Sequence, residues 1–348
     1  MSLESKQTYD ALPLDHDIVA HYKPKYLARG GDHLVYEVAD HPDVIIKAST
    51  FIIKDILSSN EKNKLPPASF SGDLRKELED EISQKNIQIR QLRKYFGNEH
   101  TLSERRYLAK VPITKEILDE IFKNDWKKRV TPEGSSELKE VWSAIIVQER
   151  ADAIKDTNHL GLYFGSFLEE RDFDPAKYQA LNKLLIQNSI QSEGDVDLFL
   201  CLQDNPKTHA LRDILEKSEN DILLKNKLEE LINNIILYAN NTGNILALAG
   251  GDNLILYPED NGWNYLLLDV LPIHNETVFS DSKEIISKLL KGENVSQHDK
   301  TLLMKALNFT RTINGLTLSL KMPNRLNLIS DEYLDKDIDF CKLLDTGV

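Results

Sequence analysis

The chain has 348 residues, 41% of them hydrophobic and 28% charged, long enough for two lobes that each bury a core. Its 43 Lys and Arg against 56 Asp and Glu give a formal net charge of -13. That balance disfavours non-specific attraction to nucleic acid or to an anionic membrane, and any anion site has to be a local basic pocket. Cys201 and Cys341 stand far apart, which suits a reducing compartment and offers neither a disulfide framework nor a zinc pattern.

The opening "MSLESKQTYDALPLDHD" lacks a cationic region followed by an apolar core, so no signal peptide is read. The most apolar windows, "LINNIILYANN" and "ILALAGGDNLILY", are broken by Asn, Gly and Asp well short of the roughly 20 apolar residues of a membrane span. The expectation is a soluble cytoplasmic protein, with export into a host cell left open. Richness in Lys, Asn and Ile suggests an AT-rich, bacterial genome.

In chain order, Tyr26-Leu27, Leu34-Val35-Tyr36 and Val44-Ile45-Ile46 are β-forming runs separated by the turn segments "ARGGD" and "ADHPD", predicting three strands within 26–49. A polar, Pro-containing loop follows. From Asp73 to Phe96, Leu74, Leu78, Ile82, Ile89, Leu92 and Phe96 recur at helical spacing, with Ser71 or Asp73 to cap the start and Gly97 to end it. "ERRYLAKVPIT" reads as extended, "KEILDEIFKNDW" as helical, and "EVWSAIIVQERAD" as a buried strand running out through polar residues.

Beyond about residue 153 the pattern turns helical. Helices are predicted in "DPAKYQALNKLLIQNSI", "HALRDILEKS" and "NDILLKNKLEELINNIILYANN", then at 281–291 and 297–310. "GDNLILYPEDNGWNYLLLDVLP" reads as strand, turn, strand. The fold class is α+β: a strand-rich first lobe, residues 1–152, with one long helix, and a mainly helical second lobe, residues 153–348.

Four motifs in this order resemble the protein-kinase-like superfamily, in an atypical bacterial branch nearer to small-molecule phosphotransferases than to eukaryotic protein kinases. "ARGGDHLVYEV" is similar to the glycine-rich loop whose backbone amides approach ATP phosphates, which implies nucleotide contacts at Gly30, Gly31 and His33. Aligned on Val35, only Gly30 matches a family glycine, and a plain Gly-Gly hairpin would explain the stretch by itself. "VIIK" resembles the third-strand signature that presents a lysine to the α/β-phosphates, here Lys47. The family pairs that lysine with a helix glutamate, Glu81 or, one turn earlier, Glu77, with Glu81 favoured.

"IIVQERAD" resembles the fifth strand leading into the interlobe hinge, which implies adenine contacts from the backbone of Glu149 and Ala151. "ALAGGDNLILYPEDNGWNYLLLDV" resembles the catalytic loop and metal-binding hairpin, implying Asn253 and Asp269 as Mg²⁺ ligands. The implied cofactors are ATP and Mg²⁺, and the acceptor, protein or small molecule, stays open; neither nucleic acid nor membrane is expected as a partner.

The chain departs from the family where a catalytic Asp belongs, five positions before that Asn, since Leu248 stands there and cannot accept a proton. Asp269 is followed by Val270 and Leu271, and no Ala-Pro-Glu triplet follows. Three readings compete: Asp252 does the proton work in a shifted loop, the fold transfers the nucleotidyl part of ATP, or the chain is a pseudokinase that binds or regulates. The other histidines lack metal spacing, and most of them read as surface residues. Trp126, Trp142 and Trp263 read as core or turn packing.

Overall fold

A computed structural model of the chain describes residues 24–29, 33–50, 72–112, 114–122, 140–151, 160–161, 206–248, 253–268, 270–271 and 278–326. The protein is α+β, with a five-stranded antiparallel sheet, a three-stranded sheet and several helices. Its contacts divide into two compact units, Met1–Arg90 with Leu102–Ala153 and Gln91–Thr101 with Ile154–Val348.

The first unit is built on β1 (Lys25–Arg29), β2 (His33–Glu37), β3 (Val44–Ser49), β4 (Glu104–Pro112) and β5 (Glu140–Glu149), hydrogen-bonded in the order β1-β2-β3-β5-β4. Side chains alternate between faces along each strand, so the cross-strand register sorts them. Leu34, Tyr36, Ile46, Ala48, Tyr107, Ala109, Ile145 and Val147 share one face and are each no more than 2% exposed. At about 1.5–3 kcal/mol for each large apolar side chain fully buried, this face anchors the unit.

The other face is polar for a sheet. It carries His33, Glu37, Lys47, Ser49, Gln148, Glu104 and Arg106. There the Gln148 amide donates to Glu104 at 2.8 Å, and Glu104 pairs with Arg106 at 3.5 Å.

Helix α1 (Gly72–Phe96) follows β3, and α2 (Lys115–Phe122) lies between β4 and β5 in sequence. The apolar spacing leaves a gap of seven between Ile82 and Ile89, and Lys85 fills it. The buried stripe runs Ile82, Lys85, Ile89, Leu92, Phe96, with Lys85 only 1% exposed and Gln88 beside it. Asn86 lies off that stripe, where its side chain donates to the Arg106 carbonyl at 3.2 Å and accepts from the Arg106 N–H at 3.1 Å. A side-chain amide thereby caps a backbone position that would otherwise be open on β4. Gly97 ends the helix at φ +84°, a conformation that suits glycine and strains other residues.

The second unit contains β6 (Leu160–Gly161), β7 (Leu254–Glu259) and β8 (Gly262–Leu267) in an antiparallel sheet, with α3 (Pro206–Asn220), α4 (Ile222–Thr242), α5 (Val278–Leu290) and α6 (Gln297–Ser319). Helix α4 buries Leu224, Leu228, Leu231, Ile232, Ile235, Ile236, Tyr238 and Ala239, a continuous stripe that packs against β8, α3 and α6. Asp221 caps its start by accepting from the Leu223 and Leu224 N–H groups, and Gly243, at φ +72°, closes its end.

The expected helix over 297–310 continues to Ser319. Asn314-Gly315 looks like a stop in sequence. Here the Asn314 side chain instead exchanges two hydrogen bonds with the Leu326 backbone, at 3.1 and 2.8 Å, while Ile313, Leu316 and Thr317 are buried. Tertiary contacts override the local signal. The helix expected within 174–190 lies outside the described residues. Among the described residues no helix is long and apolar enough to cross a membrane.

Candidate functional site

Lys47 sits in the middle of β3, opposite Val35 on β2 and Ile146 on β5. It is half-buried and projects from the polar face, while Ile46 and Ala48 on either side of it point into the core. His33 opens β2 opposite Ser49, so it leaves the same face one diagonal step from Lys47, about 7–8 Å away in sheet geometry. Gly30 and Gly31 lie outside the described residues. Glu81 is half-buried on α1, and among the described residues no ion pair joins it to Lys47.

Glu149 ends β5 opposite Val44. Its N–H donates to the Ser103 carbonyl at 2.8 Å, and its carboxylate accepts from the Ser103 N–H at 3.4 Å. The strand pairing therefore uses this residue's N–H donor. The Arg150 N–H, next along the chain, donates to the Asp43 carbonyl at 2.7 Å and holds the strand exit against the turn before β3.

In the second unit a small hydrogen-bonded frame forms at the open end of the β7–β8 hairpin. The Asn253 carbonyl accepts from the Leu268 N–H at 2.8 Å, continuing the ladder one step past Leu254 and Leu267. The Asn253 side-chain amide donates to the Ala247 carbonyl at 2.7 Å, and the Ala247 N–H donates to the Val270 carbonyl at 2.7 Å. A carbonyl only accepts, so the side-chain atom facing Ala247 has to be Nδ2, which turns the hard oxygen Oδ1 elsewhere. Leu268 and Val270, the chain neighbours of Asp269, are both tied into this frame; Asp269 and Asp252 themselves lie outside the described residues.

Leu248, at the place where a catalytic carboxylate was expected, is 5% exposed, and Leu246 is 2% exposed. Both are turned into the core of the unit while Ala247 between them serves the frame through its backbone. Position 248 is thus a packing position in this chain. The described part of the loop offers no proton acceptor there.

Two side chains take partners far away in sequence. His100 is not a surface histidine: its side chain is 6% exposed and stacks on Tyr265, a partner distant in sequence that no local spacing announces. Trp263 does pack at a turn, but its indole N–H donates to Asp221 at 2.8 Å and Lys217 lies 4.5 Å above its ring. Among the described residues no group of three or more His, Cys, Asp or Glu could hold a metal ion.

No protein-family model matches the chain, and no curated protein or solved structure does.

Proposed function

We propose that this chain is a bilobal, kinase-like protein that binds ATP with Mg²⁺ and acts as a divergent phosphotransferase. The observation that carries the reading is the frame around Asn253, in which its side-chain amide and Val270 bond to Ala247 while Leu268 bonds to the carbonyl of Asn253 itself, so that both neighbours of Asp269 are tied in. A magnesium ion takes hard oxygen ligands, and an amide oxygen, a carboxylate and the phosphates would supply them. Asn253 and Asp269 would hold the metal, and the metal would neutralise phosphate charge in the transferring group.

The order of the first unit supports the same reading. Three antiparallel strands, a long helix and two more strands are the succession the resemblance needs, with the lysine on the third strand. Lys47 and His33 leave one face, as a pair of donors meeting phosphate oxygens would. Glu81 on the helix, Gly30 and Gly31 before β2, and the backbone of Glu149 and Ala151 complete the proposed nucleotide contacts. Asp252 remains the candidate base.

The burial of Leu248 favours a second reading, a pseudokinase that binds nucleotide without turnover. General-base assistance contributes about 10²- to 10⁴-fold, so its loss slows phosphoryl transfer and does not forbid it. Incubation with γ-labelled and α-labelled ATP separates the cases. Label carried from the γ position to an acceptor or to the protein supports phosphotransfer; label from the α position means nucleotidyl transfer; binding without either means a regulatory module.

A further inference from the structure

Helix α4 begins with Ile222, Leu223 and Leu224 directly after its Asp221 cap, and its first turn carries no acidic residue, although the dipole of a helix start favours one. Leu224 is fully buried. Ile222 and Leu223 are 65% and 50% exposed, and of the large apolar side chains exposed among the described residues they are the two that adjoin in sequence. The hairpin turn borders them, since a Cβ placed on Gly262 would stand 3.6 Å from the Leu223 side chain. Trp263 follows and is half-buried, its indole N–H donating to Asp221 at 2.8 Å and the Lys217 ammonium lying 4.5 Å from its ring. Ile222 stands between Asp221, bonded to Trp263, and Leu223, against Gly262. The three side chains thus make one apolar patch on the second unit, with the exposed Pro258 opposite Trp263 across the hairpin.

The residues that border this patch are mostly acidic. Glu216 and Glu219 lie near the end of α3, Asp221 caps α4, Glu259 ends β7 opposite Gly262, and Asp260 follows in the turn; all but Asp221 are exposed. Two lysines stand against these carboxylates, and both are engaged, Lys217 over the Trp263 ring and Lys225 with Glu229 at 3.9 Å. That sign selects the occupant. Anionic headgroups and nucleic-acid phosphates are repelled, and a second copy of this chain, with its formal net charge of -13, would bring more negative charge. A positively charged segment is attracted, and its apolar side chains gain by leaving water against Ile222, Leu223 and Trp263.

We propose that the start of α4 and the β7–β8 turn form a docking site for a basic, amphipathic peptide segment of another protein. Apolar side chains of the segment cover Ile222 and Leu223 and meet the Trp263 ring, a large, rigid anchor of the kind that carries much of the energy at interfaces. Its Lys or Arg side chains pair with Glu219, Glu259 and Asp260 at the rim, which speeds the encounter and fixes the orientation more than it adds affinity. The site uses neither Lys47 nor the frame around Asn253, so it stands or falls apart from nucleotide binding.

Fluorescence anisotropy of a labelled Lys/Leu peptide, patterned as an amphipathic helix, tests this on the full chain, beside a matched Glu/Leu peptide. Native protein should bind the Lys/Leu peptide better, and less tightly as salt rises. Ile222→Ser with Leu223→Ser, and separately Glu259→Lys with Asp260→Lys, change exposed positions and should each weaken that binding at least about tenfold, the scale of interface hot spots. Leu237→Ser, at a 51% exposed leucine further along the same helix, should bind as native protein does. No binding of the Lys/Leu peptide, equal binding of the Glu/Leu peptide, equal affinity of Leu237→Ser and the Ile222, Leu223 variant, or undiminished affinity of the Glu259, Asp260 variant would overturn the proposal. So would sedimentation showing native protein as a dimer that the Ile222, Leu223 variant dissolves, since the face would then belong to a second copy.

Discussion

The side-chain amide of Asn253 donates to the carbonyl of Ala247 at 2.7 Å. That bond joins the loop before β7 to the hairpin and makes the orientation of Asn253 a property of the backbone.

A substitution pair at this position separates its two roles. Asn253→Ala removes the bond and should cost about 0.5–1.5 kcal/mol of stability. Asn253→Asp keeps an oxygen ligand yet sets a carboxylate against a carbonyl, two acceptors face to face, and should be the less stable of the two in chemical denaturation at neutral pH. If the aspartate variant matches the native protein in stability, the amide does not hold the loop.

Asp221 gives a prediction about acid. Its carboxylate accepts from the Leu224 N–H, from the Trp263 indole and from the Leu223 N–H, with Lys217 nearby, and these lower its pKa below the usual carboxylate range. A lowered value in the folded state means that the contribution is present above the unfolded carboxylate value of about 3.9 and is lost as pH falls through the folded one. Asp221→Ala should cost about 0.5–2 kcal/mol at neutral pH, as N-caps generally do. Asp221→Asn, which still caps, should lose much less at neutral pH and should flatten the decline in thermal midpoint below about pH 4.

The edge of β4 offers a third test. Asn86 gives and takes one hydrogen bond with the Arg106 backbone. Asn86→Ala leaves both backbone groups to water and should lower stability by about 1–3 kcal/mol, with faster exchange of the Arg106 amide. Unchanged exchange at Arg106 would mean that the Asn86 amide does not hold this backbone position.

Much of this architecture is legible in the sequence, for physical reasons. The strands around Leu34, Ile46 and Ile145 declare themselves by β-forming residues between turn segments. Helix α4 shows its stripe from Leu224 to Ala239 and its αL stop at Gly243. The positions that escape are those decided by distant partners. Lys85 falls in the gap of the apolar spacing yet fills a buried stripe position, and Asn314, beyond the expected helix end at 310, finds Leu326. His100 has no local signal, since its partners Glu230 and Tyr265 lie more than a hundred residues away. For the candidate site, alternation along β3 does separate Lys47 from its buried neighbours, and the hairpin does carry Asn253 at its end. The role of Ala247, an unremarkable residue acting through its peptide, has no trace in composition or spacing.

The most direct test of the central claim is titration calorimetry of ATP, with and without Mg²⁺, on native protein and on Lys47→Ala and Asp269→Ala. The account predicts Mg²⁺-dependent binding by native protein and at least about a tenfold loss of affinity, roughly 1.4 kcal/mol, in each variant. Native protein that takes up no ATP in the presence of Mg²⁺, or variants that bind as tightly as it does, would contradict it.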